Sequence, residues 1–199
     1  MEPAAVWAGD GFALTVIDEA NVQATGDLLR VDVADGTRWF DVKWIDAMNQ
    51  QPEIYAWQTG LCDRARWDSP GIPVEGTMTM GGSCDIKGRR HFIIAAFEVY
   101  GDRELMTMYV ADTSRVTLED AWVDAFRTAF SLTSGSVPLA TVTSDDVRHT
   151  MRQAVADGKV GQEPIPGGGE LTKHVSERLS EVWKQRRANP PPPTLVVKP

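Results

Sequence analysis

The chain has 199 residues, of which 42% are hydrophobic and 24% are charged, a balance typical of a globular protein that can stabilise a core without a metal. Its formal net charge of −8 would repel phosphate backbones and anionic lipid headgroups, so we expect no nucleic-acid partner. No apolar run approaches the ~18 residues of a membrane-spanning helix, and the N-terminus lacks the basic start and apolar stretch of a signal peptide, so we expect either a cytoplasmic protein or a mature secreted form.

The first predicted elements are strands. Residues 12–17 alternate in a way that gives a strand one apolar face. Residues 29–33 and 40–44 alternate in the same way on either side of Asp35 and Gly36. An Asp-Gly pair between two alternating runs is a strong hairpin signal, because glycine readily adopts the backbone conformation that a tight turn needs. The sequence therefore predicts a β-hairpin here.

A helix is predicted after this hairpin. Pro52 suits a first helical turn, where its missing N–H costs nothing. Ile54, Trp57 and Leu61 then follow at helical spacing. Pro70, Gly71 and Pro73 predict a loop over residues 66–76.

The two cysteines of the chain are Cys62, near the end of this helix, and Cys84. They do not form a C-x-x-C motif, and two thiols alone cannot complete a zinc site. A disulfide between them would stabilise the fold by about 3 kcal/mol, because it closes a loop and so reduces the conformational entropy of the unfolded chain. We favour this pairing, and with it an oxidising compartment, over two unrelated buried thiols.

The middle of the chain is rich in predicted strands. Residues 77–86 predict two short strands that are separated by a turn or bulge at Gly81 and Gly82. Residues 91–100 are almost entirely apolar, as in a central strand that is covered on both faces. In residues 103–111, both sets of alternating side chains are largely apolar. Two such neighbouring strands indicate that layers cover both faces of the sheet.

Three amphipathic helices are predicted in the C-terminal half. Thr117 and Asp120 occupy capping positions of the first helix, whose apolar stripe closes the domain. A linker of small residues follows at 131–138, and the second helix stops at Gly158. The third helix runs from about residue 170 to 187.

These elements predict an α+β fold, with a mostly antiparallel sheet, helices on both of its faces and a helical C-terminal extension. We divide the chain into an α/β/α sandwich domain at residues 1–135, a two-helix extension at 136–187 and a proline-rich tail at 188–199. Four consecutive prolines in the tail favour polyproline II and exclude a helix.

The sequence predicts no catalytic residues, no metal site and no cofactor. His91 opens a strand, whereas His149 and His174 lie on different helices, so no pair has the spacing of metal ligands. Residues 167–173 superficially match a phosphate-binding loop, but they lack its G-K-[ST] ending and follow a connector instead of a strand. The basic residues of 87–90 fit a solvated turn between two strands.

Tryptophans and an apolar helical stripe indicate a protein-binding surface. A tryptophan with a polar rim is a common interface anchor, and the stripe of the third predicted helix must be buried somewhere. The predicted protein-binding residues are Trp39, Leu171, Val175, Leu179, Val182 and Trp183. The alternative is that the extension packs on the domain and covers these side chains.

The order of the elements over residues 10–132 resembles the small α/β/α fold of the PsbP-like and DcrB-like proteins. The likeness rests on the hairpin of residues 29–44, the helix that holds Trp57, the strands of residues 88–100 and the closing helix after Thr117. The resemblance implies a role without catalysis, since such proteins are assembly factors, envelope lipoproteins and chaperones that bind apolar segments of secreted effectors. It implies no functional residue.

The leading hypothesis is therefore a bacterial protein-binding or assembly module outside the cytoplasm, in the periplasm or cell envelope, that offers its C-terminal helix and tail to a protein partner. One alternative is a cytoplasmic chaperone or immunity-type protein whose acidic surface neutralises a basic partner. A second alternative is an enzyme with a site that the sequence does not reveal.

Overall fold

Helices cover both faces of an antiparallel sheet, so the predicted α+β fold class is confirmed. The computed structural model describes residues 5–9, 12–16, 21–33, 36–46, 49–68, 72–74, 77–100, 102–133, 144–158 and 168–189. The strands are β1 (Ala5–Gly9), β2 (Phe12–Val16), β3 (Asn21–Thr25), β4 (Leu28–Val33), β5 (Arg38–Asp46), β6 (Arg64–Trp67), β7 (Ile72–Val74), β8 (Thr77–Ile86), β9 (Arg89–Tyr100) and β10 (Arg103–Asp112). The helices are α1 (Gln50–Leu61), α2 (Leu118–Thr133), α3 (Ser144–Ala156) and α4 (Gly168–Ala188).

Eight strands form the central sheet in the order β3-β4-β5-β10-β9-β8-β6, and β7 also pairs with β8. All of these pairings are antiparallel. Strands β1 and β2 pair with each other in a separate two-stranded sheet.

The predicted hairpin is formed by β4 and β5. Val33 pairs with Arg38, and Leu29 pairs with Val42. Gly36 in the connection has a φ of +73°, a conformation that glycine adopts without steric cost. The Asp-Gly signal therefore placed this turn correctly.

Strands β9 and β10 lie in the middle of the sheet and are buried on both faces, as their composition predicts. On β9, Phe92 and Ile94 belong to one hydrophobic cluster, and Ile93 and Ala95 belong to the other. Side chains alternate between the faces of a strand, so each cluster marks one face of the sheet.

The two faces are covered by different helices. Helices α2, α3 and α4 share a hydrophobic cluster with one side of the sheet, which we call the three-helix face. Helix α1 contributes Ile54 and Trp57 to the cluster on the other side, which we call the α1 face. The protein is thus a sandwich of helix, sheet and helices.

Two predictions for the middle of the chain are wrong. Residues 66–76 are not simply a loop, because they hold the end of β6 and all of β7. Gly81 and Gly82 are not a turn, because both lie inside the continuous strand β8. A Cβ on Gly82 would lie 2.2 Å from the carbonyl oxygen of Arg66, so this glycine lets β6 approach closely.

The expectation that the stripe of α4 stays free for a partner is also wrong. Leu171, Val175 and Leu179 are 6%, 1% and 1% exposed and lie in the cluster of the three-helix face. Val182 on the same helix is half-buried. The stripe is apolar because α4 packs within its own chain, which is the alternative that the sequence left open.

Some predicted features lie outside the described residues. They are the four prolines of the tail, residues 134–138 of the predicted linker, and the side chain of Trp183. The first three residues of that predicted linker are described and belong to α2, so the linker prediction is wrong there. Among the described helices, none is both long and apolar enough to cross a membrane.

Candidate functional site

A groove of about 820 Å³ opens on the three-helix face, where α2 begins. We call it the end groove. Strand β9, the connection from β10 to α2, and helices α2, α3 and α4 each contribute to its wall. Its larger apolar lining residues are Phe92, Val116, Leu118, Met151, Val155 and Leu171. Leu118 and Val155 are half-buried and thus remain partly accessible within the groove.

The turn after β10 forms one side of the end groove. The backbone N–H and the hydroxyl of Ser114 donate to Oδ1 of Asp112 over 2.9 and 2.7 Å. These two bonds lower the pKa of the Asp112 carboxyl. The N–H and hydroxyl of Thr113 donate to the carbonyl oxygen of Arg90 over 3.2 and 2.9 Å. The turn is therefore held firmly against the end of β9.

Helix α2 starts at the edge of the groove with the predicted capping pair. The backbone N–H of Asp120 donates to the hydroxyl oxygen of Thr117 over 3.2 Å, and that hydroxyl donates to the Asp120 carboxylate over 2.7 Å. The cap satisfies a backbone N–H that the first turn of a helix leaves without a partner. It also fixes where Leu118 and Glu119 meet the groove.

The rim of the end groove is polar and carries two arginines. Arg115 lines it from the turn and is exposed. Arg152 lines it from α3, and its Nε lies 3.2 Å from Oε1 of Glu119. An apolar floor with a charged rim is the usual composition of a protein-binding surface.

The α1 face holds a partly buried ion pair. Asp41 is fully buried and accepts two hydrogen bonds of 2.7 Å from the guanidinium of Arg30. The indole N–H of Trp57 donates to the same carboxylate over 2.8 Å. The bond to Asp41 raises the pKa of Arg30. These three hydrogen bonds attach α1 and β4 to β5 through one carboxylate.

Trp39 lies on the α1 face, where it is half-buried between two polar side chains. The guanidinium carbon of Arg30 lies 5.4 Å from the centre of its ring, and the ring centre of His91 lies 5.7 Å away. Nδ1 of His91 is 3.0 Å from the carbonyl oxygen of Arg89. These contacts cover much of the indole, so the surface it offers is smaller than its position in the sequence suggests.

Cys62 and Cys84 are joined by a disulfide in the structure, with their Cα atoms 5.6 Å apart. Cys62 is the residue that follows the last turn of α1, and Cys84 lies fully buried in β8. The predicted pairing is therefore present, and it attaches the end of α1 to the sheet.

The histidines and carboxylates of the described part of the chain lie on different elements of the fold. No three side chains among its histidines, cysteines, aspartates and glutamates come together as metal ligands. His91 lies on the α1 face, while His149 is exposed on α3 and His174 is half-buried on α4. The described lining of the end groove contains one carboxylate, that of Glu119, which is paired with Arg152.

The structure does not bring the predicted protein-binding residues together. Trp39 lies on the α1 face, whereas Leu171, Val175 and Leu179 lie on the three-helix face. Of these, Leu171 alone lines the end groove. Sequence reasoning missed the groove because its wall comes from five separate segments. The available signal was the capping pair of α2, which marks where that helix, and hence one wall, begins.

Comparison with known proteins gives little further information. No protein-family model matches the sequence, and no curated protein matches it. A similar solved structure is that of PA94 from Pseudomonas aeruginosa, a protein of unknown function. That match covers 69% of this chain and 98% of PA94, with 9% sequence identity and a TM-score of 0.34. A likeness at this level supports no argument about fold or function.

Proposed function

We propose that this chain is a protein-binding module without catalytic activity, and that its end groove receives the apolar side of an amphipathic segment of a protein partner. The observation that carries the proposal is the composition of the groove. An apolar floor that includes Phe92 and Val155 lies beside a rim with Arg115 and Arg152. Such a surface favours a segment whose apolar residues enter the groove and whose acidic residues meet the rim.

The chemistry of the groove favours a binding role over catalysis. A general acid or base has to reach the substrate, and it usually has an environment that shifts its pKa. Glu119 is the carboxylate of the described lining, and its nearby guanidinium gives it an ion-pairing role. No imidazole or thiol accompanies it among the described lining residues.

We further propose a location in the bacterial cell envelope. The Cys62–Cys84 disulfide supports this, because disulfides persist in oxidising compartments and are rare in the reducing cytoplasm. The resemblance to PsbP-like and DcrB-like proteins supports the same location and an assembly or chaperone role.

The groove can be tested by crosslinking in cells of the source organism. A photoreactive amino acid replaces Val155 in one version of the protein and Tyr55 in another. Tyr55 is a suitable control because it is 65% exposed on α1, on the opposite face. We expect the version with the probe at 155 to capture one defined protein, which mass spectrometry identifies, and the version with the probe at 55 not to capture it.

The identified partner is then purified and titrated by calorimetry. Val155→Arg should raise its Kd by about tenfold or more, because a guanidinium would fill the apolar groove. Tyr55→Arg adds the same side chain elsewhere and should change the Kd by no more than about twofold. Equal capture from both positions, or an unchanged Kd for Val155→Arg with an intact thermal transition, would contradict the proposal.

A further inference from the structure

A second surface lies at the end of the sheet, where two arginines share one carboxylate. Nε and Nη2 of Arg64 donate to Oδ2 of Asp85 over 3.2 and 2.9 Å. Nε and Nη2 of Arg90 donate to the two oxygens of the same carboxylate over 2.9 and 3.4 Å. These bonds lower the pKa of Asp85 to about 2, so the carboxylate is charged at neutral pH.

Arg64 and Arg90 each have N–H groups that do not bond to Asp85. A guanidinium carries five N–H groups, and the bonds to Asp85 use two from Arg64 and two from Arg90. The side chains of Arg64 and Arg66 are 76% and 67% exposed, and Nε of Arg66 lies 3.1 Å from Oδ1 of Asp68. Lys87 and Arg89 of the adjoining turn are also exposed. The basic side chains outnumber the carboxylates paired with them, which are Asp68, Asp85 and Asp112, so the surface is locally basic although the whole chain has a formal charge of −8.

Arg64 and Arg66 belong to β6, which is the last strand of the sheet. Strand β6 pairs with β8, and no described strand pairs with its other edge. Its residues alternate in exposure: the two arginines are exposed, while Ala65 and Trp67 are half-buried and pack against the core of the α1 face. An edge strand presents backbone N–H and C=O groups that can pair with another strand.

We propose that the outer edge of β6 binds an extended segment of a protein partner in which acidic and apolar residues alternate. Backbone hydrogen bonds to β6 provide affinity, and the side chains on each face of the added strand provide specificity. On one face, acidic side chains of the partner meet Arg64 and Arg66. On the other face, apolar side chains extend the surface formed by Ala65 and Trp67. This surface is separate from the end groove, so the inference does not depend on the proposed function.

The positive charge of β6 indicates that its outer edge binds a different protein and not a second copy of this chain. Antiparallel pairing of β6 with its own copy would bring the arginines of the two strands side by side, and like charges on neighbouring strands are destabilising. An acidic strand replaces that repulsion with ion pairs, which can be bidentate because the guanidinium plane matches a carboxylate.

Synthetic peptides test the surface directly with the full-length protein. The probe has about six residues, the usual length of a strand, in which glutamate and valine alternate. Fluorescence anisotropy of a labelled peptide measures the Kd. A first control peptide has lysine in place of each glutamate, and we expect it not to bind. A second control peptide keeps the glutamates but carries N-methyl groups on alternate backbone nitrogens, which removes its hydrogen-bond donors along one edge.

The protein variants separate the effect of the two β6 arginines, Arg64 and Arg66, from the effect of net charge. Arg64→Glu with Arg66→Glu should weaken binding of the glutamate peptide by about tenfold or more, because two ion pairs are lost and replaced by repulsion. Lys173→Glu with Lys184→Glu changes the net charge equally at two exposed positions of α4 and should change the Kd by no more than about twofold.

Each outcome decides between explanations. Weak binding by the N-methylated peptide supports strand addition, whereas equal binding by that peptide overturns it and leaves a charge contact only. If Arg64→Glu with Arg66→Glu leaves the Kd unchanged, the peptide does not bind at the edge of β6. Absence of binding by the glutamate peptide overturns the proposal and leaves Arg64 and Arg66 as charges that protect an edge strand from pairing.

Discussion

The two faces of the central sheet are stabilised by different means. The three-helix face is covered by residues from α2, α3 and α4, and its shared cluster is almost wholly apolar. The α1 face is covered by one helix that buries only Ile54 and Trp57. There, polar and covalent links add to the apolar contact: the Asp41 carboxylate, the ion pair between Lys43 and Glu53, and the disulfide.

This difference shows how a short helix is held on a large sheet. Burial of two large side chains stabilises by only about 3–6 kcal/mol, so α1 relies on specific links to the strands beneath it. Three helices that pack on each other and on the sheet contribute many more buried apolar side chains, and their ion pairs, such as Arg38–Asp124 and Arg152–Glu119, lie partly exposed around that core. However, α2, α3 and α4 do not pack closely against each other and the sheet along their whole length, and the space left at one end is the end groove.

The largest expected effect comes from placing a charge inside the three-helix face. Val175 on α4 is 1% exposed. Val175→Asp should lower the free energy of unfolding by about 4 kcal/mol or more, because it buries an unpaired carboxylate. Urea unfolding followed by circular dichroism measures the change.

Val182→Asp is the matched control on the same helix. Val182 is half-buried, so its carboxylate keeps contact with water and the loss should be smaller, about 1 kcal/mol. If both variants unfold at the same urea concentration as the unmodified chain, α4 does not belong to the core of the three-helix face.

An intermediate effect is expected from removing the covalent link on the α1 face. The disulfide closes a loop with a sequence separation of 22. Replacing Cys62 and Cys84 together with alanine should lower the free energy of unfolding by about 3 kcal/mol. Urea unfolding without reductant measures it, and the amides of α1 should then exchange hydrogen faster than those of α4.

Reducing agent provides the control for this prediction. It should shift the unfolding midpoint of the unmodified chain toward that of the double alanine variant and leave the variant unchanged. Equal acceleration of exchange in α1 and α4 would show that the link stabilises the whole protein and not α1 in particular.

The smallest expected effect concerns pH and the ion pairs at the end of the sheet. The pKa of Asp85 in the folded protein is about 2, below its ordinary value of 3.8, because it accepts bonds from Arg90 and Arg64. The folded-state pKa is the lower one, so the ion pairs stabilise the fold above about pH 4, and this contribution disappears as the pH falls through about 2. Asp85→Asn should make the free energy of unfolding less dependent on pH between about pH 2 and pH 4.

Nuclear magnetic resonance titration of the Asp85 carboxyl checks the pKa itself. Arg64→Gln and Arg90→Gln should each move its midpoint upward, whereas Arg127→Gln on α2 should not. A midpoint near the ordinary value in the unmodified protein would mean that neither guanidinium holds this carboxylate in solution.

Elements with a local signal were predictable from the sequence. The hairpin around Gly36, the two-faced strands β9 and β10, and the cap of α2 at Thr117 are each encoded by a few neighbouring residues. The Gly81-Gly82 pair was misinterpreted because glycine suits a turn and a close backbone approach equally well. The carbonyl that comes near Gly82 belongs to Arg66, which is distant along the chain.

By itself, the sequence determined the fold class, favoured the disulfide pairing and showed which side chains of α4 lie on one side of that helix. Periodicity shows that Leu171, Val175 and Leu179 share one side of a helix, because that depends only on the helical repeat. It does not show what covers them, because the covering residues come from distant segments. Only the tertiary structure decided that α4 packs on its own sheet, that a groove opens beside α2, and that Arg64 and Arg66 lie on an edge strand.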